Sequence, residues 1–154
     1  MRSYNSALSK LKKNNLFINN ETISIKKALN RVSSLDIFTK NIYPSSDNTA
    51  FDGFAVNSKE TFHLSNKKTR KFKIIKTLSA GDNPKINKIP KYSSIEVMTG
   101  AIIKKPFDTV IPIEKIQFYP NNKKPKYIIL DKKIKKNEFI RKAGSDYKRG
   151  DKII

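Results

Sequence analysis

Cysteine is absent from this 154-residue sequence, histidine occurs once, glycine five times, and acidic residues number 13 against 33 basic ones. The lack of Cys excludes disulfides, thiolate metal sites and cysteine nucleophiles together. The single histidine, His63, has no cluster of carboxylates around it in the sequence, so it reads as a surface residue with no assigned role. No apolar run is long enough to span a bilayer, and the N-terminus Met1-Arg-Ser-Tyr-Asn-Ser-Ala-Leu8 lacks the apolar core of a signal peptide. A cytoplasmic protein with no membrane partner is the expectation. The apolar share of 37% is also low, against a usual ~45–50%, which suggests a modest core or a surface that awaits a partner.

What the chain has in excess is positive charge, formally +20. Only five of the 33 basic residues are Arg, and the lysines are scattered in pairs such as Lys26-Lys27, Lys104-Lys105 and Lys132-Lys133. Nucleic-acid modules concentrate Arg and aromatics on one face. The scatter therefore reads as solvated surface and makes nucleic acid a disfavoured partner. A basic polyanion-binding module is the alternative, marked by steep salt dependence.

Tyr4, Ala7, Leu8 and Leu11 follow helical spacing, which predicts an amphipathic helix over residues 4–13 with Ser3 as its cap and Asn14-Asn15 at its end. Leu16-Phe17-Ile18 is apolar and leads into a turn, and Ser24 could cap a short helix over residues 25–30. Strands are expected at Leu35–Thr39, from Phe54, at Phe72–Leu78, Ser94–Met98 and Asp108–Glu114 (Pro112 marking an edge or bulge), and from Phe139. Ile116–Tyr119 and Tyr127–Leu130 read as a hairpin-like pair, and residues 58–71 as a loop. Every glycine falls in a short polar turn, where positive φ or the close approach of a ligand requires it. Asp47 and Asp52 stand in Pro44-Ser-Ser-Asp-Asn-Thr-Ala-Phe-Asp-Gly-Phe-Ala-Val56, a polar loop turning into a strand that can present a carboxylate on a rigid base. Thr99-Gly100, following a strand, has the form of an oxyanion-binding turn with free N–H groups and a hydroxyl, and equally of an ordinary turn.

Taken in order, Ser45–Val56, Ala80-Gly81-Asp82, Val97-Met-Thr-Gly-Ala101 with Asp108–Glu114, and Phe139-Ile-Arg-Lys-Ala-Gly-Ser-Asp146 with Gly150 resemble the N-terminal part of the molybdopterin molybdenumtransferase family (MoeA and the gephyrin E-domain). Ala28-Leu-Asn-Arg31 resembles the family's helix before the first motif. The resemblance implies an α+β fold: a helical, mixed domain made of residues 1–45 and 141–154, with a β-rich domain of residues 46–140 inserted in it. It implies an enzyme that inserts molybdate into adenylylated molybdopterin with release of AMP, assisted by Mg2+, working as a homodimer whose cleft is completed by a molybdopterin-binding domain. That domain falls outside these residues, supplied in cis or as a separate subunit, so this chain alone is expected to be inactive; the alternative within the resemblance is an interaction scaffold that keeps the fold without the chemistry. By the same resemblance Asp52, Thr99 and Asp146 are the candidate catalytic residues, Thr99 and Gly100 the candidate ligand-binding turn, and Asp52 and Asp146 the candidate metal ligands. The sequence departs from the family pattern at Phe51 and Phe54, at Ser145 in place of an acidic residue, and at Ile102–Pro106, where a proline usually follows the Thr-Gly-Ala turn sooner.

Overall fold

A computed structural model describes residues 3–14 and 18–154. The chain forms two compact units, one of the residues up to Ile37 together with Ile154, the other of Phe38–Ile153. The expected boundaries stood instead at 45/46 and 140/141. Residues 38–45 and 141–153 fall in the larger unit, and they pair with each other through bridges between Phe38 and Lys152 and between Tyr43 and Tyr147.

In the smaller unit, helix α1 spans Tyr4–Lys13, and the Ser3 hydroxyl accepts from the N–H of Ser6 at 3.4 Å. Lys10, Lys12 and Lys13 occupy the last turn, where the helix dipole favours cations. The apolar stripe is present, yet none of its residues is buried among the described residues. The expected helix over residues 25–30 is a single 3-10 turn at Ile25–Lys27, and Ser24 makes no side-chain cap there. The expected strand at 35–39 is absent: Ile37 exchanges backbone hydrogen bonds with Ile154, at 3.0 and 3.4 Å. The expectations for Asn15 and for Leu16-Phe17 lie outside the described residues.

The larger unit carries eight strands: β1 Asn48–Thr49, β2 Gly53–Val56, β3 Arg70–Leu78, β4 Ser93–Val97, β5 Thr109–Pro112, β6 Gln117–Tyr119, β7 Tyr127–Leu130 and β8 Ile140–Arg141. Six of them form one sheet in the order β5-β2-β4-β3-β7-β6, and β1 pairs with β8 separately. The class is α+β, with little helix. Pro112 lies on edge strand β5, where a missing N–H is tolerated. β6 and β7 pair antiparallel, the expected hairpin-like pair. The segment read as a loop after Val56 holds a 3-10 turn, Ser58–Thr61.

Two apolar clusters cover the two faces of the large sheet. Phe54, Val56, Phe72, Ile111, Ile128 and Ile134 belong to one, and Ala55, Leu78, Ile95, Val97, Phe107 and Val110 to the other. Alternation in β2 and β5 sends successive residues to opposite clusters, as a strand's period of two requires. β3 breaks that parity. Its parallel register with β4 slips between Ile74 and Lys76, and the extra residue turns the strand over. Phe72 and Leu78, an even number of residues apart, therefore sit in different clusters. Among the described residues, no helix is long and apolar enough to cross a membrane.

Candidate functional site

The sheet register puts one row of residues across four strands: Pro112 opposite Gly53, Gly53 opposite Val97, and Val97 opposite Leu78. Beyond this row, at one end of the sheet, lie the turn before β2 with Asp52, the Met98–Ala101 turn after β4, and the Ser79–Asp82 turn after β3. Motifs widely spaced in sequence are thus brought together by strand pairing alone. Gly53 itself is in a strand and not in a positive-φ turn. Its glycine identity has another cause, because a Cβ there would lie 2.1 Å from the carbonyl oxygen of Ile111 on β5. The close approach is that of a neighbouring strand, which the turn reading of this glycine missed. Gly81 and Gly100 do have positive φ, +88° and +85°, and a Cβ on Gly100 would meet that of Ala80 at 3.3 Å, so these two turns abut.

Asp52 and Thr99, 47 residues apart, close on each other. The N–H of Thr99 donates to Asp52 Oδ1 at 2.6 Å and its hydroxyl to the same oxygen at 2.7 Å. The backbone N–H and then the hydroxyl of Thr99 hold the Asp52 carboxyl below the usual carboxylate range. The N–H of Gly100 donates to the carbonyl of Thr49 at 3.0 Å. The turn therefore does not offer free N–H groups to an oxyanion, as its sequence suggested. Its donors hold the carboxylate and the first loop in place, and Asp52 Oδ2 is the atom without a hydrogen-bond partner among the described residues.

Thr49 joins this turn to a third segment. Its N–H donates to Ala101 O at 3.0 Å, while on its other side it pairs with Ile140 across β1 and β8. Asp47 extends the junction. Its carboxylate accepts from Lys142 Nζ at 2.6 Å and from the N–H of Ala143 at 2.9 Å, and its own carbonyl accepts from Ile103 at 2.9 Å. Burial acts to raise the Asp47 pKa, but the Lys142 ammonium and the Ala143 N–H outweigh it, and the net shift is downward. The anchored Ile103 is buried, which shapes the loop where the sequence departs from the family pattern. Phe51 packs edge-on against Phe139 with ring centroids 5.1 Å apart. Phe139 has φ +55°, a left-handed conformation that is uncommon for a bulky residue and marks local strain. Nothing in the sequence signalled it.

Asp146 lies on the segment that follows β8. Its carboxylate forms an ion pair with Arg141 and accepts from the Ser145 hydroxyl at 3.0 Å. The Arg141 guanidinium, opposed by partial burial and helped by Ser145, holds its pKa down. The Asp146 N–H donates to Tyr43 O at 3.0 Å, and Gly144, with φ +70°, donates to Pro44 O at 2.9 Å. Asp146 thus belongs to the same stitched assembly of loops as Asp52 without a hydrogen bond to it. Among the described residues, no group of three or more His, Asp or Glu converges to hold a metal. The donor set does not fit a Mg2+ held between Asp52 and Asp146, since Arg141 already occupies the second carboxylate. His63 is exposed and lies outside the site.

A mixed sheet whose ordered turns collect at one end, with Asp52 tied to Thr99, defines an N-terminal module of a known class. The chain belongs to the family described as the MoeA N-terminal region (domain I and II), which matches residues 2–154. Among its relatives are the molybdopterin molybdenumtransferases of Haemophilus influenzae, 31% identical, and of Bacillus subtilis, 27% identical, each over 134 residues that cover 87% of this chain and 31% of the relative. A crystal structure of the molybdopterin biosynthesis moeA protein from Pyrococcus horikoshii superposes with a TM-score of 0.77 at 25% identity, covering 87% of this chain and 34% of that one. The chain spans about a third of the length of the relatives it matches.

Proposed function

We propose that this chain is the N-terminal region of a molybdopterin molybdenumtransferase, acting in molybdenum cofactor biosynthesis. In this reading it helps form the cleft in which molybdate is inserted into adenylylated molybdopterin with release of AMP. The observation that carries the proposal is the Asp52–Thr99 contact, which unites two motifs of the family at one end of the sheet. Asp52 keeps Oδ2 free of hydrogen bonds among the described residues while two donors hold Oδ1, so its carboxylate stays ionised and fixed in direction, suited to orienting a water or a cationic group rather than to taking up a proton. Thr99 positions Asp52. Gly100 lets the turn abut Ala80 and tie to Thr49, and so helps set the edge of the cleft beside Asp52. Asp146, paired with Arg141, holds the neighbouring loop and supplies the second carboxylate of the cleft. Mg2+ is assigned no step.

Residues 1–45 with 141–154, and residues 46–140, are the two N-terminal domains in this proposal. A molybdopterin-binding domain, in cis or as a separate subunit, supplies the rest, and this chain alone is inactive. The exposed apolar residues of the smaller unit, Leu11, Ile18, Leu29 and Val32 among them, support a homodimer or contact with the remainder of the protein, since large apolar side chains left in water gain free energy when covered. The setting is the cytoplasm.

The test combines this chain, linked to or mixed with a molybdopterin-binding portion from a relative, with adenylylated molybdopterin and molybdate. Molybdate-dependent AMP release is expected only when both parts are present. Asp52→Ala should lower the rate by about 100-fold, the scale that lost orientation at a reacting centre costs. Equal activity without this chain, or an unaffected Asp52→Ala protein, would refute the proposal.

A further inference from the structure

Away from the loops just described, the 3-10 turn Ser58–Thr61 and the stretch Lys132–Lys136 face each other across a cleft of about 310 Å³. Lys59, Lys133, Lys135 and Lys136 line it together with Phe62 and Ile134, and no Asp or Glu does. None of these lysines forms an ion pair among the described residues. The Lys133 ammonium sits 4.3 Å from the centre of the Phe62 ring, and that ring is 68% exposed.

The backbone that presents these lysines is built from buried hydroxyls. Thr61, fully buried, donates to Ser58 O at 2.8 Å and accepts from the N–H of Ile134 at 2.9 Å. Thr109, also fully buried, donates to Lys135 O at 2.9 Å. The N–H and hydroxyl of Ser58 both donate to Asp108, at 2.7 and 3.0 Å. Ile134 is anchored in the core, so the lysines on either side of it are held outward at one place. Like charges gathered at one cleft, with the adjacent Asp108 carboxylate committed to Ser58, repel and lower stability, and breaches of local rules of this kind concentrate at functional sites. This lysine group therefore differs from the scattered pairs elsewhere.

We infer that this cleft binds a nucleotide. The ammonium groups match a phosphate chain as point charges, the exposed Phe62 ring, with the Lys133 ammonium over it, offers aromatic surface to a planar base, and the volume lies at the lower end of the range for small-ligand sites. The inference is independent of the molybdenumtransferase reading.

The experiment is a titration of the full chain with ATP, without divalent metal and at about 0.15 M salt so that diffuse attraction is screened, followed by backbone amide shifts. Saturable shifts confined to residues 58–62 and 132–136 are expected. The double variant Lys133→Ala/Lys135→Ala should weaken binding at least tenfold, whereas Lys123→Ala/Lys124→Ala, which removes the same charge from the β6–β7 loop, should leave it within twofold. Phe62→Leu should weaken ATP several-fold and leave tripolyphosphate unchanged, and the amide spectrum of each variant reports its folding. Shifts spread over the whole surface, or equal weakening by the two double variants, would show that the net charge of the protein and not the cleft attracts the ligand. Tripolyphosphate binding as tightly as ATP would overturn the role of the ring. Binding seen only with a single-stranded oligonucleotide, with steep salt dependence, would replace the small ligand by a nucleic acid.

Discussion

Replacing Gly53 by alanine tests the packing at the root of the site. The added methyl would stand 2.1 Å from Ile111 O, 2.9 Å from Ile111 C and 3.0 Å from Pro112 Cα. All three are backbone atoms of β5, so no side-chain rotation relieves the clash. The strand must retreat by about 1 Å to reach ordinary van der Waals distance. β5 is paired with β2 along all four residues of each strand, and its Val110 and Ile111 belong to opposite core clusters, so that retreat loosens a ladder and two packed faces together. Overpacking against a fixed neighbour costs about 3 kcal/mol. With a urea m-value of about 2 kcal/mol/M, the midpoint should fall by about 1.5 M. The chain has no Trp, so far-UV circular dichroism is the natural readout. Gly150→Ala is the control: nothing lies within 4 Å of a Cβ there, but φ is +88°, and the conformational cost alone is about 1–2 kcal/mol. If Gly53→Ala costs less than about 1 kcal/mol, or no more than Gly150→Ala, the steric account of Gly53 is wrong.

Thr61→Val removes the hydroxyl that accepts from the Ile134 N–H and donates to Ser58 O; the Ile134 N–H is left without that partner, and a loss of about 1–3 kcal/mol in the same urea titration is expected. Thr99→Val removes one of the two donors to Asp52 Oδ1 and should move the Asp52 pKa upward, towards its ordinary value, in a carbon-13 NMR titration; an unchanged value would contradict the assigned cause. Asp47, Asp52 and Asp146 all have folded-state pKa values below their ordinary ones, so the stability they contribute is present above the unfolded-state value of about 3.9 and is lost as pH falls through the lowered folded-state values. The urea midpoint should therefore hold near neutral pH and decline only in acid. Asp47→Ala should accelerate amide hydrogen exchange at Ala143, with a stability loss of about 1 kcal/mol at most because the pair is partly exposed; unchanged exchange would show that Asp47 does not clamp that loop.

Much of the fold was legible because the signals were local. The 3.6 period of Tyr4, Ala7, Leu8 and Leu11 marked α1, the short apolar-rich runs Phe72–Leu78 and Ser94–Met98, each ending in a turn, marked β3 and β4, and Pro112 marked an edge or bulge. The failures have equally local reasons. Leu35–Thr39 is apolar enough for a strand but has no ladder partner beyond single bridges, and a strand exists only by pairing. β1 was invisible because Asn48 and Thr49 have neither periodicity nor length, and only their register with Ile140 and Arg141 makes them a strand. The slip in β3 that parts Phe72 from Leu78 leaves no mark in composition. The cleft between Ser58–Thr61 and Lys132–Lys136 was hidden because its walls lie far apart in the chain and its lysines looked like the others.

The sequence by itself determined the element types, the charge, the exclusion of cysteine chemistry and, through the order of its turn motifs, the family. Turn residues and hydrophobic periods act over a few neighbours, so a linear reading recovers them. Tertiary structure alone decided what those residues do. It joined Asp52 to Thr99, committed the N–H of Gly100 to Thr49, gave Asp146 to Arg141, and made Gly53 obligatory through a strand 58 residues further along. Each of these depends on strand register and hydrogen-bond geometry between distant segments, and pairing between segments is not a property that any one of them carries alone.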